Sequence, residues 1–120
     1  MALSTAGRNA AVDGLATAAT TVSLHTADPG LIGANEVTGG TPAYARKTIT
    51  WAAASAGARA MSGTVLFDVP AGVTVSHFGL WNGTTFLGGD VLRDGSNNPQ
   101  TSTFSGQGTY TLNTATLTIN

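Results

Sequence analysis

Asp28, Asn35 and Glu36 are the residues in this chain best placed to do chemistry, in the stretch "LHTADPGLIGANEVTGGTPAYARKTITW" from Leu24 to Trp51. Their oxygens are hard ligands in a glycine-rich loop, a setting calcium can use. The spacing matches no EF-hand loop and supplies few carboxylates. The same residues also read as turn chemistry: an aspartate ahead of Pro29-Gly30 makes an Asx-type turn, and Asn35 can bond backbone groups. No metal site is therefore assigned. Transition metals have less to bind, since His25 and His77 are the only histidines, lie on separate predicted strands and have no cysteine to join them.

Nucleophilic catalysis needs a base within hydrogen-bond reach of a nucleophile and a group to orient the base. Ser, His and Asp all occur, but no G-x-S-x-G elbow does. Glycoside cleavage needs two carboxyls converging on one cleft. The six acids, Asp13, Asp28, Glu36, Asp68, Asp90 and Asp94, are dispersed, mostly in predicted loops. The glycine turns are not followed by the Lys-Ser/Thr of a phosphate-binding loop. The Asn82-Gly83-Thr84 triplet fits a glycosylation sequon and, more simply, a hairpin turn. No catalytic residue and no cofactor follow from these patterns. The aromatic residues are expected mostly in the core, although an exposed Trp81 or Tyr44 could stack on a sugar ring. With Asn97 and Asn98 in the polar 93–103 loop, they form a candidate contact surface.

These side chains have to be positioned by a mainly β scaffold. Residues 3–20 are the one helix candidate, capped by Ser4 or Thr5, with Leu3, Val12, Leu15 and Ala19 near one stripe. Gly7 and Gly14 each weaken it by about 1 kcal/mol relative to alanine. Such a helix needs a sheet or a neighbouring subunit to dock on.

Beyond Thr20 the pattern is β. "TVSLH" sets Val22 and Leu24 against Thr21, Ser23 and His25. "ARKTITW" and "GTVLFDVP" alternate in the same way, the second with Val65, Phe67 and Val69 on one face. "VTVSHFGLW" carries bulk on both faces, which suits a central or covered strand. Near the end, Tyr110 and Leu112 fall on one parity and Leu117 and Ile119 on the other. A bulge, a turn or a change of partner is expected at 113–115. The expected architecture is one β-sandwich or jelly-roll domain over 21–120, preceded by the helix at 1–20.

The 120-residue chain carries 5 Lys+Arg and 6 Asp+Glu, net −1 and 9% charged. Ordinary domains carry about 25% charged residues. With no basic cluster, nucleic acid is not an expected partner. No apolar run approaches the roughly 20 residues of a membrane helix, and no secretory signal is recognised. A surface so poor in charge suits self-association, so a homo-oligomer is expected.

Seven blocks together resemble small virion proteins of tailed bacteriophages, especially phages of actinobacteria. They are "SLHTADPG" at 23–30, "GANEVTGG" at 33–40, "PAYAR" at 42–46, "ITWAAAS" at 49–55, "FDVPAGVTVSHFGLW" at 67–81, "TFLGG" at 85–89 and "FSGQGTYTL" at 104–112. The resemblance covers nearly the whole chain. It implies a non-enzymatic virion protein, made in the host cytoplasm, that acts as a tail fibre, minor tail or head-decoration component among other virion proteins. It carries over no catalytic residue. "RDGSNNPQTST" at 93–103 departs from the family pattern, where a shorter join is expected, and reads as an outward-facing variable tip. A receptor- or glycan-binding module on the same particle is the alternative. Within this picture the 24–40 stretch is a structural crossover between strands, with Asp28 and Asn35 fixing its turns and Glu36 anchoring Arg46 or another cation.

Overall fold

The structure, a computed structural model, describes residues 1–119. The protein is mainly β with a short N-terminal helix. Helix α1 spans Thr5–Ala18. It is followed by β1 (Thr21–His25), β2 (Lys47–Thr48), β3 (Ala58–Ala60), β4 (Val65–Val69) and β5 (Val73–Val75). Then come β6 (His77–Asn82), β7 (Thr85–Val91), β8 (Ser102–Phe104), β9 (Gly108–Leu112) and β10 (Thr116–Thr118).

Among the described residues the strands form a four-stranded antiparallel sheet, ordered β2-β1-β6-β7, and the two-stranded ribbons β10-β3, β4-β9 and β5-β8. One apolar cluster runs through all of them and includes Val22, Leu24, Phe67, Val75, Leu92 and Leu112. Val65, Phe67 and Val69 point into it from alternate positions of β4, while Leu66 faces out.

Helix α1 begins where the Ser4 hydroxyl accepts a hydrogen bond from Gly7 N–H at 3.1 Å. It ends with Ala19 N–H donating to the Leu15 carbonyl. Val12 and Ala19 are fully buried in the chain's own core, and Ala16 nearly so. Polar ties fix the helix as well: Asn9 Oδ1 accepts from Gly57 N–H at 2.7 Å, and Asp13 pairs with Arg59 at 3.2 Å. Of the two docking partners open to the helix, its own core and a neighbouring subunit, the core holds its buried stripe. Leu3, at 40% exposure, lies off that stripe.

The parity switch at the C-terminus is a change of partner. β9 pairs with β4 and β10 pairs with β3, so Leu112 and Leu117 both point inward without a register conflict. Two predicted strands are shorter than their alternation suggests, for the same reason. "VTVSHFGLW" splits at Ser76, with β5 paired to β8 and β6 to β1. "ARKTITW" pairs with β1 only at 47–48, after which Trp51 bridges to Met61. Asn82-Gly83 does make a hairpin, closing β6 onto β7 with Asn82 opposite Thr85. A bulge at Leu80/Trp81 makes Leu87 the extra residue of β7.

Strand β6 is central in its sheet, and both of its faces are covered. Phe78 and Leu80 face the main core; Gly79 and Trp81 face the other way and are buried too. What covers that second face is the loop that follows β1.

Candidate functional site

The chain leaves β1 at His25, runs out through Pro29 and Gly33, and returns beside the strand it left. Val37 N–H donates to the Leu24 carbonyl at 3.0 Å, and Thr26 N–H to the Asn35 carbonyl at 2.9 Å. The segment is thus a closed loop folded back over its own sheet, where a crossover between strands was expected. Asp28 Oδ1 accepts from Gly30 N–H at 2.9 Å. Asn35, at φ 64, sends its side-chain amide to the Asp28 carbonyl at 3.1 Å. The Pro29 carbonyl takes both Gly33 N–H and Ala34 N–H.

The loop lies tightly on the sheet. At Gly33, φ is +75, and an added Cβ would sit 2.6 Å from the Trp81 ring. Only glycine combines that backbone with that approach. The sheet gives way in turn at Gly79, where a Cβ would fall 2.7 Å from both His25 Nε2 and Ser23 Oγ.

Beneath the loop runs a relay of hydrogen bonds. Trp81 Nε1–H donates to Ser23 Oγ at 2.8 Å. Ser23 Oγ lies 2.6 Å from His25 Nε2, and His25 Nδ1 lies 2.7 Å from the Ala34 carbonyl. A carbonyl only accepts, so Nδ1 carries the proton, Nε2 is the acceptor, and the Ser23 hydroxyl donates to it. The relay therefore fastens the far end of the loop to the sheet. Ser23 and His25 are completely buried.

A second cluster closes the loop's return. Glu36 Oε1 accepts from Arg46 Nη2 at 2.9 Å; its Oε2 accepts from Arg46 Nε at 3.0 Å and from the Tyr44 hydroxyl at 2.9 Å. The Tyr44 oxygen also takes Leu24 N–H at 2.9 Å, and its ring stacks on Phe67. The Arg46 guanidinium lies 3.5 Å over the Trp81 ring, which joins the two clusters.

The expected contact surface divides. Trp81 is only 6% exposed, with Arg46 over its ring and Phe86 edge-on against it, so it cannot stack on a sugar. Tyr44 is half-buried, with its hydroxyl bonded to Glu36 and its ring stacked on Phe67. Asn97 and Asn98 are exposed on the 93–99 turn, which Asp94 Oδ1 organises by accepting from Ser96 and Asn98 N–H.

Ser23 and His25 were not joined into a site from the sequence, where alternation only sets them opposite Val22 and Leu24. The available signal was the bulk on both faces of the paired strand, which requires a cover.

Chemically, Ser23 and His25 stand at the distance of a nucleophile and its base. The group orienting the base is a carbonyl rather than a carboxylate, and no space for a substrate remains above the pair. Both oxygens of Glu36 already accept hydrogen bonds from cationic or hydroxyl donors, so a metal ion would have to displace Arg46. Among the described residues, no three His, Cys, Asp or Glu side chains are grouped to hold a metal.

Burial holds the His25 imidazole below its usual 6.5, against the opposing pull of the Ala34 carbonyl and Glu36. Burial alone raises the Glu36 carboxyl, but hydrogen bonds from Arg46 and Tyr44 outweigh it and hold the group below its usual 4.5. Both shifts act in one direction. As pH falls through 6.5, an unfolded His25 takes up a proton that the folded one refuses, so the stability present above 6.5 drains away towards the lower folded value. Glu36 repeats this below 4.5. Calorimetry from pH 7.5 to 4 should show the melting temperature falling first below pH 6.5. His25→Gln, which does not titrate, should remove that first fall while lowering the melting point throughout.

The architecture is that of a small, mainly β protein built around a clasped loop. The family model described as podophage GP4 fiber I protein gp80 matches residues 3–120, and the chain belongs to that family. It is thus a tail-fibre-type structural protein of a phage and a component of the virion. No match was found among curated proteins or among solved structures. No helix among the described residues is long and apolar enough to cross a membrane.

Proposed function

We propose that the chain is a single-domain, non-enzymatic module of a phage tail fibre that self-associates and docks on other virion proteins. The observation that carries this reading is the internal use of its polar chemistry. Ser23 and His25 are sealed beneath the loop, and the oxygens of Glu36 are committed to Arg46 and Tyr44. Asp28 and Asn35 serve the loop's own turns. What faces outward is a surface of low charge that suits packing against protein.

Quantitative mass spectrometry of purified virions tests this. A handful of copies per particle is expected, as for a fibre or tip. Hundreds of copies would point to head decoration, and absence from virions would defeat the reading.

One observation favours a second reading, a glycan- or receptor-binding role. A cleft of about 330 Å³ lies at the foot of the 93–99 turn, with Asp90, Arg93 and Asn97 on its walls. Carboxylate, guanidinium and amide groups there could bond sugar hydroxyls, with Asn98 on the adjacent rim. Glycan-array binding that is lost in Asn97→Ala would support this reading; an array without signal would remove it.

A further inference from the structure

We propose that residues 26–36 form an acid-released strap, which lifts from the Ser23–Trp81 side of the sheet when His25 takes up a proton, while the rest of the fold stays closed.

Two staples hold the strap through its side-chain chemistry, and both depend on pH. His25 Nδ1–H donates to the Ala34 carbonyl at 2.7 Å, and the Glu36 carboxylate accepts from Arg46 and Tyr44. Backbone bonds at Thr26 and Val37 close the base of the loop. Elsewhere the strap rests on the sheet by shape, with Pro29 close to Gly89 and Gly33 close to Trp81.

The closed site is built for a neutral imidazole. His25 is fully buried, Nδ1 already carries its proton, and Nε2 accepts from Ser23, whose oxygen takes the Trp81 indole N–H. A second proton turns Nε2 from acceptor to donor. The Ser23 hydroxyl must then swing to the Gly79 carbonyl, 3.4 Å away, and a charged ring stays sealed from water. The surrounding charges are divided. Glu36 favours the proton but is paired with Arg46; Arg46 itself and His77, opposite His25 on β6, oppose it. The Tyr44 hydroxyl, pushed up by burial, stays neutral, and β7 contributes the uncharged Phe86 ring.

Lifting the strap hydrates the ring without opening the main core. The strap covers Ser23, Gly79 and Trp81, whereas Val22, Leu24, Phe78 and Leu80 face the core on the other side of the sheet. Such local opening costs less than unfolding the whole domain. An open strap binds the proton at the usual 6.5 of imidazole. Below that pH, each unit therefore multiplies the open population by about ten, until the closed form takes the proton as well. Glu36 adds its own release below 4.5. Acid thus uncovers Ser23, His25 and Trp81 as a surface that is absent at neutral pH.

Hydrogen exchange of the two tryptophan indoles, followed by NMR on the full chain, tests this. Trp81 Nε1–H lies beneath the strap, and Trp51 Nε1–H, bonded to the Ala19 carbonyl, reports on the helix end. From about pH 7.5 to about pH 5, protection of Trp81 relative to an unstructured tryptophan peptide should fall about tenfold or more. Low urea should barely change that protection, because lifting a strap exposes little surface, whereas it should lower the protection of Trp51. His25→Gln should abolish the acid response and His77→Gln should keep it. These are the only two histidines, so His77→Gln assigns the proton even where His25→Gln does not fold. Trp81 protection unchanged at about pH 5 would overturn the strap. So would urea sensitivity equal to that of Trp51, which would mean that acid unfolds the whole domain. A response kept in His25→Gln, or lost in His77→Gln, would assign it to another group and overturn the strap too.

Discussion

Replacing Glu36 with alanine is expected to lower the stability of the fold by about 2–4 kcal/mol. The change removes the acceptor for Arg46 Nε, Arg46 Nη2 and the Tyr44 hydroxyl at once. The site is partly shielded from water, with the Arg46 side chain 32% exposed and that of Glu36 19% exposed. The effect therefore exceeds that of a surface ion pair, about 0–1 kcal/mol, and falls short of a fully buried one. A loosened Arg46 also releases the Trp81 ring that it covers. Glu36→Gln should cost less, because one carbonyl oxygen remains as an acceptor. Urea denaturation measures both. In thermal melts, calcium and chelator should leave the wild-type melting temperature unchanged. A chelator-induced drop of several degrees, reversed by calcium and absent in Glu36→Gln, would make the loop a calcium site.

Gly79→Ala should cost about 3 kcal/mol or more, against the direction that strand propensity gives, since glycine ordinarily weakens a strand. The added methyl would fall 2.7 Å from His25 Nε2 and Ser23 Oγ and 2.9 Å from the Phe86 ring. None of the three can retreat without opening the relay or lifting the loop from the sheet. Gly14→Ala is the contrasting case. It adds a methyl to an open helix position with nothing within 4 Å. It should stabilise by up to about 1 kcal/mol. Thermal melts of the two variants should move in opposite directions.

Much of the fold was legible because its strands are short and several of them alternate cleanly, β4 above all. Val65, Phe67 and Val69 marked the inward face of β4, and the conflict between Leu112 and Leu117 marked the strand's change of partner. The helix was legible from its cap and from Val12. Strand lengths were less so: nothing local in "ARKTITW" says that pairing moves from β1 to Met61 after Thr48.

The site was legible only in part, for a related reason. Periodicity assigns Ser23 and His25 to the polar side of β1 and stops there. Whether that side meets water or another segment depends on where residues 26–37 fold back. That depends on close approaches at Gly33 and Gly79, made between positions far apart in sequence. The same blindness put Trp81 on a contact surface, although Arg46 and Gly33 close over it.

The most direct test of whether this polar cluster is structural is the reactivity of Ser23. Its hydroxyl and the His25 base stand 2.6 Å apart, the spacing of an activated nucleophile, yet both are fully buried. Folded protein incubated with a fluorophosphonate and weighed by mass spectrometry should show no adduct. A single stoichiometric adduct on Ser23, abolished by His25→Gln, would contradict the structural role and make the loop the lid of an active site.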